Sequence, residues 1–208
     1  MIRTQSLSYQ HKGSSPLVFP DILVKDGHAT LLLGNSGKGK TTLLHLLAGL
    51  LRPTTGTVSI DDTNINQMSE TELDLFRGRN IGIVFQQSHF IQSLTVLENL
   101  LTAQYLAGLK QHTEKAKFLL QKTGLTDKAN RLTYQLSQGE QQRLAIVRAL
   151  LNEPNVVLAD EPTSALDDKN CENIIHLLES ATQEAGATLL IVTHDKRLKE
   201  YFKEIVEL

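Results

Sequence analysis

The sequence is almost without cysteine. Cys171 stands alone among 208 residues, which excludes an intrachain disulfide, and no Cys/His group has the spacing of a zinc site. So little thiol fits a reducing compartment. Long hydrophobic runs are also missing. Stretches such as Leu31–Leu33, Val156–Ala159 and Leu189–Val192 fall far short of the about 18 apolar residues that a membrane-spanning helix needs. Met1–Gln5 lacks the apolar run of a signal peptide. We therefore expect a chain that reaches a membrane only through a partner. Nor does charge of one sign dominate. The net charge is −2, from 21 basic and 23 acidic residues, so the basic signature of nucleic-acid binders is absent and no nucleic-acid partner is expected. There is no Gly/Ser-rich or Pro-rich linker, no repeat and no low-complexity tract. The length suits one domain over 1–208 that buries its own core.

What is present alternates between two periodicities. Short strands are expected around Ile2–Tyr9, Leu17–Val24, His28–Gly34 and Thr57–Ile60, with turn residues between them. A helix with Leu43, Leu44, Leu46 and Leu47 on its apolar side follows Gly39 and ends near Gly49. Ile81–Phe85 reads as a strand. Ser69-x-x-Glu72, Thr95-x-x-Glu98 and Ser137-x-x-Glu140 are three capping boxes, each opening a helix. A helix from about Thr113 stops at Gly124. Asn155–Asp160 and Thr188–Thr193 are buried strands flanking a helix from Asp168 to Ala185, which Gly186 ends. Near-continuous apolar strands alternating with helices predict a mostly parallel sheet covered on both faces. The mostly helical stretch 88–152 reads as a subdomain inserted into a core of 1–87 and 153–208. It carries +4, leaving −6 elsewhere; the excess suits either anionic lipid or an ordinary solvated helical surface.

Three motifs carry chemistry. Gly34-Asn35-Ser36-Gly37-Lys38-Gly39-Lys40-Thr41 fits G-x-x-x-x-G-K-[ST] and sits between an apolar strand and an amphipathic helix. Glycines let the backbone wrap round phosphate oxygens with N–H groups inward, and the helix N-terminus adds partial positive charge. Lys40 would reach the β- and γ-phosphates of a nucleotide, Thr41 would ligate Mg²⁺, and the loop through Thr42 would hold the phosphates. Second, the buried strand Val156–Ala159 ends in Asp160-Glu161, putting two carboxylates at the sheet's carboxyl edge, where α/β sheets bind ligands. Given the phosphate loop, Asp160 would hold Mg²⁺ and Glu161 would act as general base on the attacking water. Third, Leu136-Ser137-Gln138-Gly139-Glu140-Gln141-Gln142-Arg143 offers a small hydroxyl and a glycine at a helix N-terminus, a second arrangement suited to phosphate. Ser137 also reads as the plain N-cap of that helix.

The third motif resembles the signature of the ABC ATPases, usually written LSGGQ, and the likeness extends over essentially the entire chain. It implies an α/β P-loop NTPase with a mostly parallel core sheet, an N-terminal antiparallel β subdomain and an inserted helical subdomain. It implies ATP and Mg²⁺ as cofactors and ATP hydrolysis that drives transport. The chain would sit in the cytoplasm, peripheral on the membrane's cytoplasmic face through separate membrane-spanning subunits. By resemblance, Gln86 is the glutamine that senses γ-phosphate and metal, and His194 is the switch histidine on the γ-phosphate. Ser164-Ala165-Leu166-Asp167 is the loop lining a dimer interface, with Asp167 beside the nucleotide. Tyr9 matches the aromatic that stacks on adenine, and it serves equally as a strand residue packing its ring. Ser137 and Gly139 would cover the ATP of a second ATPase subunit in a homodimer.

Within the family, Phe85-Gln86-Gln87 and Leu158-Ala159-Asp160-Glu161-Pro162-Thr163 look most like the lipoprotein-release, macrolide-export and cell-division type. Gln138 stands where Gly is usual, Glu140 where Gln is usual, and Ser-Ala-Leu-Asp where that type has Gly-Asn-Leu-Asp. The chain stops at Leu208, short of the family's closing turn and extra strand, and no C-terminal regulatory domain is expected. Competing readings are an ABC ATPase in mechanotransmission or another role without transport, and a P-loop kinase, which leaves Leu136–Arg143 and His194 unused. Asp61-Asp62 reads as a turn after a strand. His11, His28, His45, His89, His112 and His176 share no ligand spacing.

Overall fold

The computed structural model describes residues 1–35, 37–164 and 166–208. In chain order, β1 (Ile2–Tyr9), β2 (Leu17–Val18), β3 (Leu23–Val24), β4 (Ala29–Leu33) and α1 (Lys40–Leu47) form the first quarter. Then come β5 (Thr55–Ile60), β6 (Thr63–Asn64), α2 (Glu70–Asn80) and β7 (Ile81–Val84). Helices α3 (Val96–Leu106), α4 (Thr113–Lys122) and α5 (Gln138–Leu150) precede β8 (Val156–Asp160), α6 (Asp168–Glu184), β9 (Thr188–Thr193) and β10 (Glu204–Glu207).

The strands make two sheets. One is antiparallel, in the order β2-β1-β5-β6, with β3 also pairing β1. The other is parallel throughout, in the order β10-β4-β9-β8-β7. Successive side chains of a strand point to opposite faces, and here both faces are buried. Leu32, Leu158, Leu190 and Val192 pack with Leu43, Leu44, Leu46 and Leu47 of α1 and with the antiparallel sheet. Leu31, Val157, Ala159, Leu189 and Ile191 pack with α5 and α6 through Ala145, Ile146, Ile174 and Leu178. A third apolar cluster, including Val96, Leu100, Leu120, Leu136 and Leu144, lies wholly within residues 96–151.

Local signals explain most boundaries. All three capping boxes are formed, at Ser69/Glu72, Thr95/Glu98 and Ser137/Glu140. Asp61 and Asp62 both have positive φ in the two-residue hairpin joining β5 to β6, as type I′ turns require. The single strand expected over Leu17–Val24 is instead two short pieces. Pro20 between them has no N–H to give a ladder, although Phe19 still donates to the Leu7 carbonyl. Strand β10, for which the sequence analysis assigns no element, pairs with β4 from Glu204↔Thr30 to Glu207↔Leu33. Its alternating half-exposed residues (Glu204, Ile205, Val206, Glu207) belong to a short edge strand, whose apolar pattern is too brief to read in sequence. In the helical region, Lys115 and Lys122 pair with acids outside it, Glu153 and Glu184, while Lys117 and Lys128 pair with Glu114 and Glu140 inside it. The basic excess is thereby offset only in part. No helix among the described residues is long and apolar enough to cross a membrane.

Helix α5 lies directly on β7. A Cβ on Gly82 would come within 2.4 Å of the Ala149 carbonyl oxygen, a backbone atom that cannot swing aside. Gly82→Ala is therefore expected to push α5 off the sheet and cost about 3 kcal/mol in a urea-melt comparison, the upper end for overpacking. A change below 0.5 kcal/mol would contradict this packing.

Candidate functional site

The phosphate-binding loop follows β4. Its first residue, Gly34, donates to the Thr193 carbonyl at the end of β9 (3.2 Å), which fastens the loop to the carboxyl edge of the sheet. Gly39, at φ 84°, turns the chain into α1 without a side-chain cap. A residue with a side chain would be strained there, and its Cβ would also lie 2.9 Å from Leu17 Cδ1. Among the described residues, no side chain accepts from the first-turn N–H groups of α1. Asn35 contributes its carbonyl, which accepts from Lys40 Nζ (3.1 Å) and from the Lys38 N–H (3.4 Å). Gly37 has φ 83°, and Lys38 is exposed. Ser36 lies outside the described residues. Thr41 is exposed and Thr42 half-buried at the start of α1.

Lys40, Asp160 and Glu161 are brought together in a nearly dry pocket, at 7%, 3% and 8% exposure. Burial, the largest cause, pushes the Asp160 carboxyl above the ordinary carboxylate range, and Glu161 adds to the rise. The Thr41 hydroxyl, His45 and Lys40 work against it. Asp160 Oδ1 is buried and has no hydrogen-bond partner among the described residues. A dry, unpartnered carboxylate oxygen beside a threonine hydroxyl is a pair of hard oxygen donors. That donor set fits Mg²⁺, which is bound through one or two carboxylates plus substrate phosphates.

Glu161 sits in the left-handed region, φ 47°, unusual for a residue with a side chain. Its N–H donates to the Val192 carbonyl (2.8 Å). Its carboxylate accepts from the Thr193 hydroxyl (2.7 Å) and from the His194 N–H (3.1 and 3.3 Å). The His194 ring lies 2.7 Å away through Nδ1, and Lys40 Nζ is 3.8 Å distant. These contacts over-determine the strained backbone and aim the carboxylate toward Lys40.

The remaining expected residues are distributed as follows. Gln86, just past β7, is exposed, and its one side-chain hydrogen bond among the described residues is to Ser164 (3.4 Å). Tyr9 is opposite Leu17 in the β1–β2 pair, so it stands close to the Gly39 turn. Its ring meets His11 edge to face, centroids 4.7 Å apart. Asp167 caps α6, accepting from the Asn170 N–H (2.9 Å). Ser137 caps α5, which packs against α6 on the face of the sheet opposite α1. Ser137 and Gly139 thus stand at the start of a helix on the other face of the sheet from α1, and Gln142 of that helix donates to the Pro162 carbonyl (3.1 Å). Among the described residues, a Cβ on Gly139 would meet only Arg143 Nη1, at 3.8 Å, so no close packing there demands glycine.

The two unusual signature residues are both accommodated. Glu140 accepts from the Ser137 N–H (2.7 Å) and pairs with Lys128 (3.3 Å), which hold its carboxyl below the usual range. Gln138 is exposed. Sequence reasoning missed Thr193, whose hydroxyl fixes Glu161, and Asp195, which the Thr163 hydroxyl and Arg197 bind. The available signal was a threonine closing an otherwise apolar buried strand directly before His194.

Comparison with known proteins places this arrangement among relatives. The profile of the family described as "ABC transporter" matches residues 21–164. The lipoprotein-releasing system ATP-binding protein LolD of Bacteroides thetaiotaomicron is 40% identical over 200 residues, 95% of this chain and 92% of that one. The putative hemin import ATP-binding protein HrtA of Staphylococcus aureus is 41% identical over 187 residues, 89% and 84% of the two chains. Among solved structures, the dimeric bacterial ABC transporter cassette MJ0796 superposes with a TM-score of 0.90 at 35% identity, covering 100% of this chain and 94% of that one. Its post-hydrolysis state bound to ADP and Pi gives the same values.

Asp160 generates a stability prediction. An acid whose pKa is raised on folding destabilises the fold once ionised. The penalty is absent below the ordinary carboxylate value of about 4 and grows as pH rises through it to the raised value. Asp160→Asn should therefore be more stable than the wild type by about 1 kcal/mol at pH 7.5 without nucleotide. The advantage should shrink as the pH falls toward about 4, and ATP hydrolysis should be lost. An Asn variant less stable at pH 7.5 would contradict the reading of an uncompensated carboxylate.

Proposed function

Because the chain belongs to the ABC transporter family, in which it is an ATP-binding and ATP-hydrolysing subunit, we propose that two copies close head to tail over two ATP molecules and drive membrane-spanning partners. The observation that carries this reading is the split site. The phosphate loop, Asp160, Glu161 and His194 lie together, while Ser137 and Gly139 lie at the N-terminus of α5, a helix on the other face of the sheet from α1, where, among the described residues, a Cβ on Gly139 would meet only Arg143.

In each half-site, Tyr9 stacks on the base, and Gly34–Thr42 wraps the phosphates with N–H groups from the loop and α1. Lys40 exchanges Glu161 and the Asn35 carbonyl for the β- and γ-phosphates. Thr41 and Asp160 would hold Mg²⁺, which would supply charge neutralisation for the phosphates. Glu161 takes a proton from the attacking water. The His194 ring, already 2.7 Å from Glu161 and half-exposed, turns to the γ-phosphate. Gln86 senses the γ-phosphate and the metal. Ser137 and Gly139 of the second copy, with Asp167 nearby, complete the cage. Phosphoryl transfer needs positioning and charge stabilisation more than covalent chemistry, and this set supplies both. Opening after hydrolysis is passed on through the segment at Gln86.

Beside that segment lies a groove of about 530 Å³, lined by Gly78, Gly82, Phe85, His89, Leu106 and Arg148. Leu106 is 69% exposed, and Leu75 and Tyr105 are exposed as well. A short apolar helix of a membrane subunit would cover them, holding this chain to the cytoplasmic face.

Glu161→Gln is expected to bind ATP, turn over at least about 100-fold more slowly, and run as a dimer by light scattering when ATP is saturating. If it stayed monomeric, the two-copy mechanism would fail here. Leu106→Asp should keep the soluble ATPase rate within about twofold but lose co-purification of a polytopic membrane protein from solubilised native membranes. Retained co-purification would move the docking surface elsewhere, and recovery of only soluble partners by the wild type would refute the transport role.

A further inference from the structure

A chain of hydrogen bonds runs from the reaction centre to the surface that carries Asp167. Glu161 accepts from the Thr193 hydroxyl (2.7 Å), whose oxygen accepts the Asp195 N–H (3.0 Å). The Asp195 carboxylate accepts from the Thr163 hydroxyl (3.3 Å), from Arg197 Nε (3.0 and 3.1 Å) and from Arg197 Nη2 (2.7 Å). The remaining side of that guanidinium, Nη1, bonds the carboxylate of Asp168, the first residue of α6 and the neighbour of Asp167. One planar group thus bridges the segment after His194 and the start of α6, 29 positions apart in sequence.

We propose that Arg197 is a positioning residue that couples the two ATP sites, by tying Glu161 and His194 of one site to the Asp167 end of α6. The proposal rests on the two-copy reading, in which Asp167 faces the second site. Asp195 is 11% exposed at its side chain, so its end of the bridge is set firmly. The Asp168 side chain is 90% exposed, and an ion pair so open to water adds little stability. The bridge therefore supplies geometry. Its planar fork meets Asp195 with two parallel donors and leaves one for Asp168 in a fixed direction, which a lysine at this position would not reproduce. Closure of the second copy against Asp167 would shift α6, and the guanidinium would carry that shift to Asp195, Thr193 and Glu161. Neither Arg197 nor Asp168 touches nucleotide in this scheme.

The test is the ATP-concentration dependence of hydrolysis by the full chain, with thermal unfolding and binding of a fluorescent ATP analogue measured in parallel. The wild type should show a Hill coefficient approaching about 2, the number of sites. Asp168→Ala and Arg197→Gln should each bring it toward 1 and slow turnover several-fold, and Arg197→Lys should not rescue it. Analogue affinity should stay within twofold and the melting temperature of Asp168→Ala within about 2 °C. Should Arg197→Gln lose stability, Asp168→Ala, which cuts only the exposed end of the bridge, decides alone. Wild-type cooperativity left intact by Asp168→Ala would overturn the coupling while sparing the two-copy reading. A non-cooperative wild type with full ATPase would overturn both.

Discussion

Everything at the carboxyl edge of the parallel sheet depends on keeping three charges together out of water. Lys40, Asp160 and Glu161 are each less than a tenth exposed. Isolated, any of them would be very costly to bury, and two adjacent carboxylates repel one another as well. The fold answers with the Thr193 hydroxyl and the His194 backbone donating to Glu161, with Lys40 3.8 Å from Glu161, and with Thr41 and Lys40 favouring the charged form of Asp160. One oxygen of Asp160 is left over. The compensation is incomplete at the place where a cation and its phosphates would complete it, so the site is stable enough to form and unsatisfied enough to bind. The positive φ of Glu161 belongs to the same arrangement, since only a framework with many fixed bonds holds such a residue in place.

The second constraint is the pleat of the parallel sheet. Alternate residues of β4, β8 and β9 bury against α1 on one face and against α5 and α6 on the other. Both faces are therefore occupied, and the two helix N-termini suited to phosphate are forced to opposite faces. On the proposed two-copy reading, association completes the site and gives a role to Gly139, whose Cβ, among the described residues, would meet only Arg143.

Legibility in the sequence followed how local the cause was. The phosphate loop and the three capping boxes each depend on residues within eight positions, and all the described parts form as the spacing implied. The split between β2 and β3 had a local cause in Pro20, yet the eye joined two apolar pairs across it. Strand β10 had too few residues to show a period. Thr193 and the outer contact of Arg197 were invisible for another reason: their partners there, Glu161 and Asp168, lie 32 and 29 positions away, although Arg197 also bonds its near neighbour Asp195. Glu140 looked like a departure from the family pattern until the capping box and Lys128 gave it partners.

By itself the sequence determined the alternation of strands and helices, the three phosphate-related motifs and the exclusion of disulfide, zinc and membrane-spanning chemistry, because each depends on composition or on neighbours along the chain. Only the tertiary structure decided which of those motifs share a pocket. Parallel pairing brings the ends of β4, β8 and β9 side by side, although they are more than 100 residues apart from first to second. The same pairing sends α5 across the sheet, and burial at that shared edge, not residue identity, gives Asp160 its raised pKa and Glu161 its fixed aim.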